Sequence, residues 1–241
     1  MVAAGKLLKA QEPPCVPPAR LRNYLDVLRD NDNTKMMEKH AKYLGLPVQS
    51  IVQMCATYDT GLAALAFPMY NEDRQTTGVR YRRRDSTKFS FKGGREGVFI
   101  SVWFVPSRLT IVTEGPTDAA AVIATGLINV VGKPSCTGGD RIIGRLLKDN
   151  PDTPVIMVAD PDEPGKAGGL NLANSLPNFC AVICPPKDIR DVVTRAELTN
   201  AVGNDILDVA SGREKDGWQL YYVNKPHKKF LLDRTIQELK Q

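Results

Sequence analysis

Between residues 108 and 184 the chain alternates two rhythms. "RLTIVTEG", "LINVVG", "TPVIMVAD" and "FCAVICPP" are short apolar runs of strand length. Between them "PTDAAAVIATG", "GGDRIIGRLLKDN" and "EPGKAGGLNLANSL" carry helical spacing, the first with proline near its start and glycine after its end. The third is expected to be helical despite its glycines. Strands alternating with helices predict a parallel sheet covered on both faces, with ligands beyond the carboxyl ends of its strands.

The flanks read differently. Residues 1–18 are proline-rich and predict a flexible leader. "ARLRNYLDVLRDN" and "NTKMMEKHAKYLG" have helical periodicity, and "LPVQSIVQMCATYD" predicts a short helix entering a turn. From Leu62 to Gly93, apolar and aromatic residues alternate with polar ones around an Asn-Glu-Asp turn, which predicts an antiparallel sheet. After residue 196 we expect a helix in "NAVGNDILDVASG", a strand in "WQLYYVN" and a last helix in "FLLDRTIQELKQ". The expected units are a leader (1–18), a basic N-terminal subdomain (19–107), an α/β domain (108–195) and an extension (196–241).

The candidate chemistry lies at the strand ends. Glu114 ends the first strand of the alternating unit, and Asp160 ends the third, two residues before Asp162. In a parallel sheet all three share one carboxyl edge, where they repel one another unless a cation is present. Hard oxygen donors of this kind suit Mg²⁺. A single aspartate there also serves as a helix cap, and Asp118, in a first helical turn, suits the helix dipole.

As a set, strand-Glu114-Gly-x-x-Asp118, a second βα unit and strand-Asp160-x-Asp162 resemble the Toprim fold of bacterial-type primases, type IA and II topoisomerases and some nucleases. The resemblance spans about residues 108–195. It implies that Asp160 and Asp162 hold Mg²⁺ or Mn²⁺, that Glu114 is a ligand or proton-transfer group, and that Asp118 organises the site. Gly165 and Lys166 follow the pair, with Lys166 as a phosphate contact. "PPKDIRDVV" is similar to a primase segment after the last Toprim strand, matching at Lys187, Asp188 and Asp191, with Ile189 where a proline is usual.

A net charge of +5 favours a polyanionic partner. The charge concentrates ahead of the α/β unit, where Arg80, Arg82, Arg83, Arg84, Lys88, Lys92 and Arg95 interleave with Tyr81, Phe89 and Phe91 against the single acid Asp85. Basic heads and rings on a sheet suit nucleotide or nucleic-acid contact. In a strand, Arg83 must point away from Arg82, and Arg82 shares a face with Lys88 and Arg84 only if "DST" is not a tight turn. Glycine-rich "KPSCTGGD" (133–140) is a second phosphate candidate.

These readings imply a primase-like nucleotidyltransferase that acts on a single-stranded DNA template with ribonucleoside triphosphates, with a replicative helicase as a further expected partner. A metal-dependent nuclease and a non-catalytic replisome module are the alternatives. Neither a Walker P-loop nor a cysteine-rich zinc module occurs in these 241 residues. No apolar run approaches membrane-spanning length, so a cytoplasmic protein is expected. The odd, scattered set of five cysteines argues against a complete disulfide framework. Cys180 and Cys184, on one side of a strand, read as packed free thiols rather than zinc ligands, and His40 and His227 as surface residues.

Overall fold

The computed structural model describes residues 15–178, 180–186, 188–191, 214, 215 and 218–223. Lys187 and the two helices expected after residue 196 lie outside the described residues.

Three helices lead the chain: α1 (Pro18–Asp30), α2 (Thr34–Tyr43) and α3 (Val48–Gln53). Proline opens α1, where its missing N–H costs nothing. Leu21, Leu25 and Leu28 recur at i, i+4 and i+7, and all three are buried. They pack on an antiparallel sheet of β1 (Thr57–Asp59), β2 (Ala64–Tyr70), β3 (Thr76–Arg83) and β4 (Lys88–Ser90), in that order. Period-2 alternation sorts the sheet's two faces. Ala64, Ala66, Val79 and Tyr81 meet α1, whereas Leu65, Phe67 and Met69 enter a second core with α4 (Pro116–Ala124). β1 was not expected from the sequence.

The larger sheet adds β5 (Phe99–Ile100), β6 (Thr110–Thr113), β7 (Val130–Gly132), β8 (Val155–Val158), β9 (Cys180–Cys184), β10 (Glu214–Lys215) and β11 (Trp218–Val223). Their spatial order is β10-β11-β9-β8-β6-β7-β5. The four central strands are parallel, as the alternation predicts. Antiparallel β11 and β5 add to its two sides, so the sheet is mixed and draws Phe99 and Ile100 in from the preceding segment. Ile111, Ile156 and Ile183 face the core that holds α4; Val112, Met157 and Val182 face the opposite core. α5 (Asp140–Leu147) and α6 (Glu163–Ser175) cover that second face. Cys180 and Cys184 both point into it. Among the described residues, no helix is long and apolar enough to cross a membrane.

The expectation of a surface His40 is corrected: it is 1% exposed. It falls on the inward stripe of α2 with Met37 and Ala41, its ring edge-on to Tyr58. Neither ring nitrogen reaches a partner at hydrogen-bonding geometry. Burial, with the Arg84 and Arg82 charges, pushes the imidazole down from 6.5 to about 4, with the Arg83 backbone acting weakly the other way. The folded protein therefore keeps His40 neutral in a range where the unfolded chain takes up a proton. This contribution to stability is complete above pH 6.5 and is lost as pH falls from 6.5 towards 4. Replacing His40 by Leu should abolish that component. Between pH 7 and pH 5, the parent should lose about 2 kcal/mol more than the variant in denaturant titrations. Parallel losses would show that the ring is not kept neutral.

Candidate active site

β6 and β8 are parallel neighbours with Thr113 opposite Val158, so Glu114 and Asp160 emerge side by side from one sheet edge. The Asp160 backbone N–H donates to Glu114 Oε1 at 2.8 Å. α6 begins directly beyond, capped by Asp162, whose Oδ1 accepts from the Gly165 N–H at 2.8 Å. Asp162 is thus a helix cap and a member of the acidic edge at once.

The glycines of α6 explain why a glycine-rich segment is helical here. A Cβ on Gly165 would stand 2.5 Å from Glu114 Oε1 and 2.7 Å from the Asp160 carbonyl. One on Gly168 would stand 2.3 Å from the Cys136 carbonyl oxygen. The weak helix propensity is offset by a close approach that no other residue permits.

The edge is electrostatically strained. Burial raises the Glu114 carboxyl, and Asp160 and Asp162 add to the shift, while the Asp160 N–H and Lys133 oppose it. Asp160 is raised by burial, then by Asp188 and Asp162, against Lys88 and Arg190. Asp118 is pushed up to about 6, by burial first and then by Asp160 and Asp188. Asp188 is the exception. Burial pushes it up, but Arg190 donates to it from the backbone N–H at 3.0 Å and from Nε at 2.9 Å and holds it low. Arg190 Nε also lies 3.7 Å from Asp118 Oδ1.

Facing this edge is the hairpin of β3 and β4. Arg80, Arg82 and Lys88 line one cleft with Glu114, Gly115, Pro116, Thr117 and Pro134. Lys88 pairs directly with Arg82 across the strands. Arg82 is buried, donates from Nη1 to Thr117 Oγ1 at 3.1 Å and leaves Nε without a hydrogen-bond partner. Burial, then Arg190, lowers its pKa, against the pull of Asp118 and Asp188.

Other expected contacts lie elsewhere. Residues 84–87 form a tight turn, with Arg83 N–H bonded to the Thr87 carbonyl and Ser86 at φ +67°, so Arg84 leaves the face that Arg82 shares with Lys88. Arg83 points the opposite way, over the Phe89 ring, and Arg84 covers Tyr43. Lys92 and Arg95 are exposed and outside the cleft lining. Lys166 is on the first turn of α6, 2.8 Å from Glu163. Asp191 closes a 3-10 turn, Ile189–Asp191. In the 133–140 loop, Lys133 is buried and donates to the Cys136 carbonyl at 2.7 Å, with Asp140 2.6 Å away.

Sequence reasoning missed Arg190, Lys133 and Thr117. Arg190 had a signal, a cation set between Asp188 and Asp191; Lys133 and Thr117 had none beyond their positions after a strand and in a first helical turn.

Among the described residues, no group of three or more His, Cys, Asp or Glu side chains is arranged to hold a metal ion. The donor chemistry nonetheless fits a hard divalent cation. Glu114 and Asp160 are adjacent oxygen donors, each with a raised pKa, and Glu114 and Asp162 each commit one oxygen to a backbone amide.

No family model matches the chain, and no curated protein matches it. Solved structures do. The Aquifex aeolicus primase (zinc-binding and RNA polymerase domains) aligns with a TM-score of 0.57 at 14% identity, over 73% of this chain and 57% of that one. A DnaG primase catalytic domain bound to ssDNA gives 0.54 at 13% identity, over 73% and 74%. The E. coli primase catalytic core gives 0.51 at 12% identity, over 72% and 73%. The parallel-centred sheet, its flanking helices and the antiparallel sheet ahead of it together have the fold of a DnaG-type primase catalytic core.

Proposed function

We propose that this protein is a Toprim primase-like nucleotidyltransferase that makes short RNA primers on single-stranded DNA. The observation that supports this most is the cleft itself, in which Arg80, Arg82 and Lys88 face Glu114 and the start of α4. An acidic edge and a basic strand across one gap suit a reaction that must hold polyphosphate beside a hydroxyl.

Glu114, Asp160 and Asp162 would hold Mg²⁺ or Mn²⁺, which when bound supplies charge neutralisation at the triphosphate and acidifies the attacking 3′-hydroxyl. The chain's own groups do the rest. Arg80 and Lys88 bind phosphate oxygens of ribonucleotide or template, fixing position rather than reading bases. Arg82 holds the hairpin to α4 through Thr117 and adds its charge to the cleft lining. Asp118, Asp188 and Arg190 organise the edge. Lys166, Lys187 and Asp191 support it, and Arg84, Lys92 and Arg95 extend the basic surface outside. A replicative helicase would deliver the template.

The test is incubation of the protein with single-stranded DNA, labelled ribonucleoside triphosphates and Mg²⁺ or Mn²⁺. New short products are expected. Shortened template would make the same edge a water-activating nuclease, and binding with neither product would make the chain a replisome binding module.

A further inference from the structure

Outside the cleft, α2 carries a second basic surface. Lys35, Lys39 and Lys42 are exposed at i, i+4 and i+7, so they form one stripe on the face away from buried Met37, His40 and Ala41. Lys35 and Lys39 are about 6 Å apart along the axis, at 1.5 Å per residue. Tyr43 continues the stripe by one more step of four from Lys39; it is 54% exposed and has Arg84 stacked 5.4 Å from its ring centre. The stripe therefore meets the turn between Arg82 and Lys88, which line the cleft.

The charge on this surface is unbalanced. Among the described residues, none of the three lysines is in an ion pair. Asp85, the acid on the turn, uses Oδ1 to accept the Thr87 N–H. Arg83 and Arg84 are held in place by rings rather than by carboxylates. α2 itself carries one acid, Glu38, at i+3 from Lys35 and i−4 from Lys42. Three lysines, with Arg83 and Arg84 beside them, still leave the surface net positive, which suits a linear polyanion.

We infer that this stripe is a track for the phosphodiester backbone of single-stranded DNA outside the cleft, running from the 84–87 turn along α2. The inference rests on the reading that the cleft takes a polynucleotide. The contacts are to phosphate and so independent of sequence, with Tyr43 and Arg84 as a stacking platform at the point of entry.

The test compares the parent with the Lys35→Gln/Lys39→Gln/Lys42→Gln variant on two labelled oligonucleotides, one of about six nucleotides and one of about twenty, across a salt series. Glutamine keeps helix propensity, and circular dichroism checks the fold. For the long oligonucleotide, the slope of log affinity against log salt should fall by about 2, at about 0.7 per lost contact. The short one should bind both proteins alike, and the triple arginine variant should keep the parent slope. An unchanged long-oligonucleotide slope in the glutamine variant overturns the track. Equal losses on both oligonucleotides also overturn it, since the lysines would then act at the cleft. Failure of the parent to bind either oligonucleotide would instead remove the polynucleotide reading of the cleft, and the track with it.

Discussion

Asp160→Asn should lower primer synthesis by roughly 100-fold or more and leave the protein at least as stable as the parent in the absence of divalent metal. Two consequences of one carboxylate are separated here. In the proposed function, its charge would help hold a cation beside Glu114. In the folded protein without a cation, the same charge is unfavourable, because burial and the neighbouring Asp188 and Asp162 raise its pKa. Asparagine removes that repulsion and keeps the size, and the N–H that bonds Glu114 belongs to the backbone. The loss of attraction to Lys88 and Arg190 works the other way but ranks lower among the causes. Thermal melts with and without Mg²⁺ complete the test. The parent should melt higher with Mg²⁺, as any ligand of the native state requires, and the variant should gain much less. An Asp160→Asn protein with full metal-dependent turnover would remove Asp160 from the metal site.

The acidic edge was legible because two independent regularities coincide on it. Apolar runs of four or five residues alternating with helical segments admit a parallel sheet and little else, and a parallel sheet brings every strand's last residue to one edge. Glu114 and Asp160 follow from those two steps. Helices α1 and α2 were legible from their spacing, and the opposite directions of Arg82 and Arg83 from strand pleat.

What escaped has physical reasons. β1 and β5 are three and two residues long, too short for any period to show. His40 is buried because α2 turns that face inward, and a polar residue in an apolar stripe reads as surface until the packing is known. The separation of Arg82 from Arg84 depends on where the hairpin turns, which "RRRDSTK" leaves open by a residue or two. Arg190 sits between Asp188 and Asp191 in sequence, but its approach to Asp118 is long-range, and Lys133 acts across a loop; local pattern carries no trace of those two pairings.

Gly165→Ala should destabilise the protein and cut its activity, although alanine is the better helix former. Propensity alone favours alanine by about 1 kcal/mol within a helix. Against this, the new methyl would stand 2.5 Å from Glu114 Oε1 and 2.7 Å from the Asp160 carbonyl oxygen. Glu114 can swing aside at its flexible end, which disturbs the edge; the Asp160 carbonyl is backbone and cannot move without moving the carboxylate beside it. Overpacking of this kind costs about 1–3 kcal/mol, so the steric term wins. Gly144 in α5 supplies the contrast, since the nearest atom to its added Cβ is Leu176 Cδ2 at 3.8 Å, an ordinary contact. Gly144→Ala should therefore gain up to about 1 kcal/mol and leave activity unchanged. Denaturant midpoints and primer yields for the two variants, measured side by side, decide the matter. If Gly165→Ala gains stability as Gly144→Ala does and keeps full activity, α6 does not press against the Glu114–Asp160 edge, and that edge is not shaped by the helix that follows it.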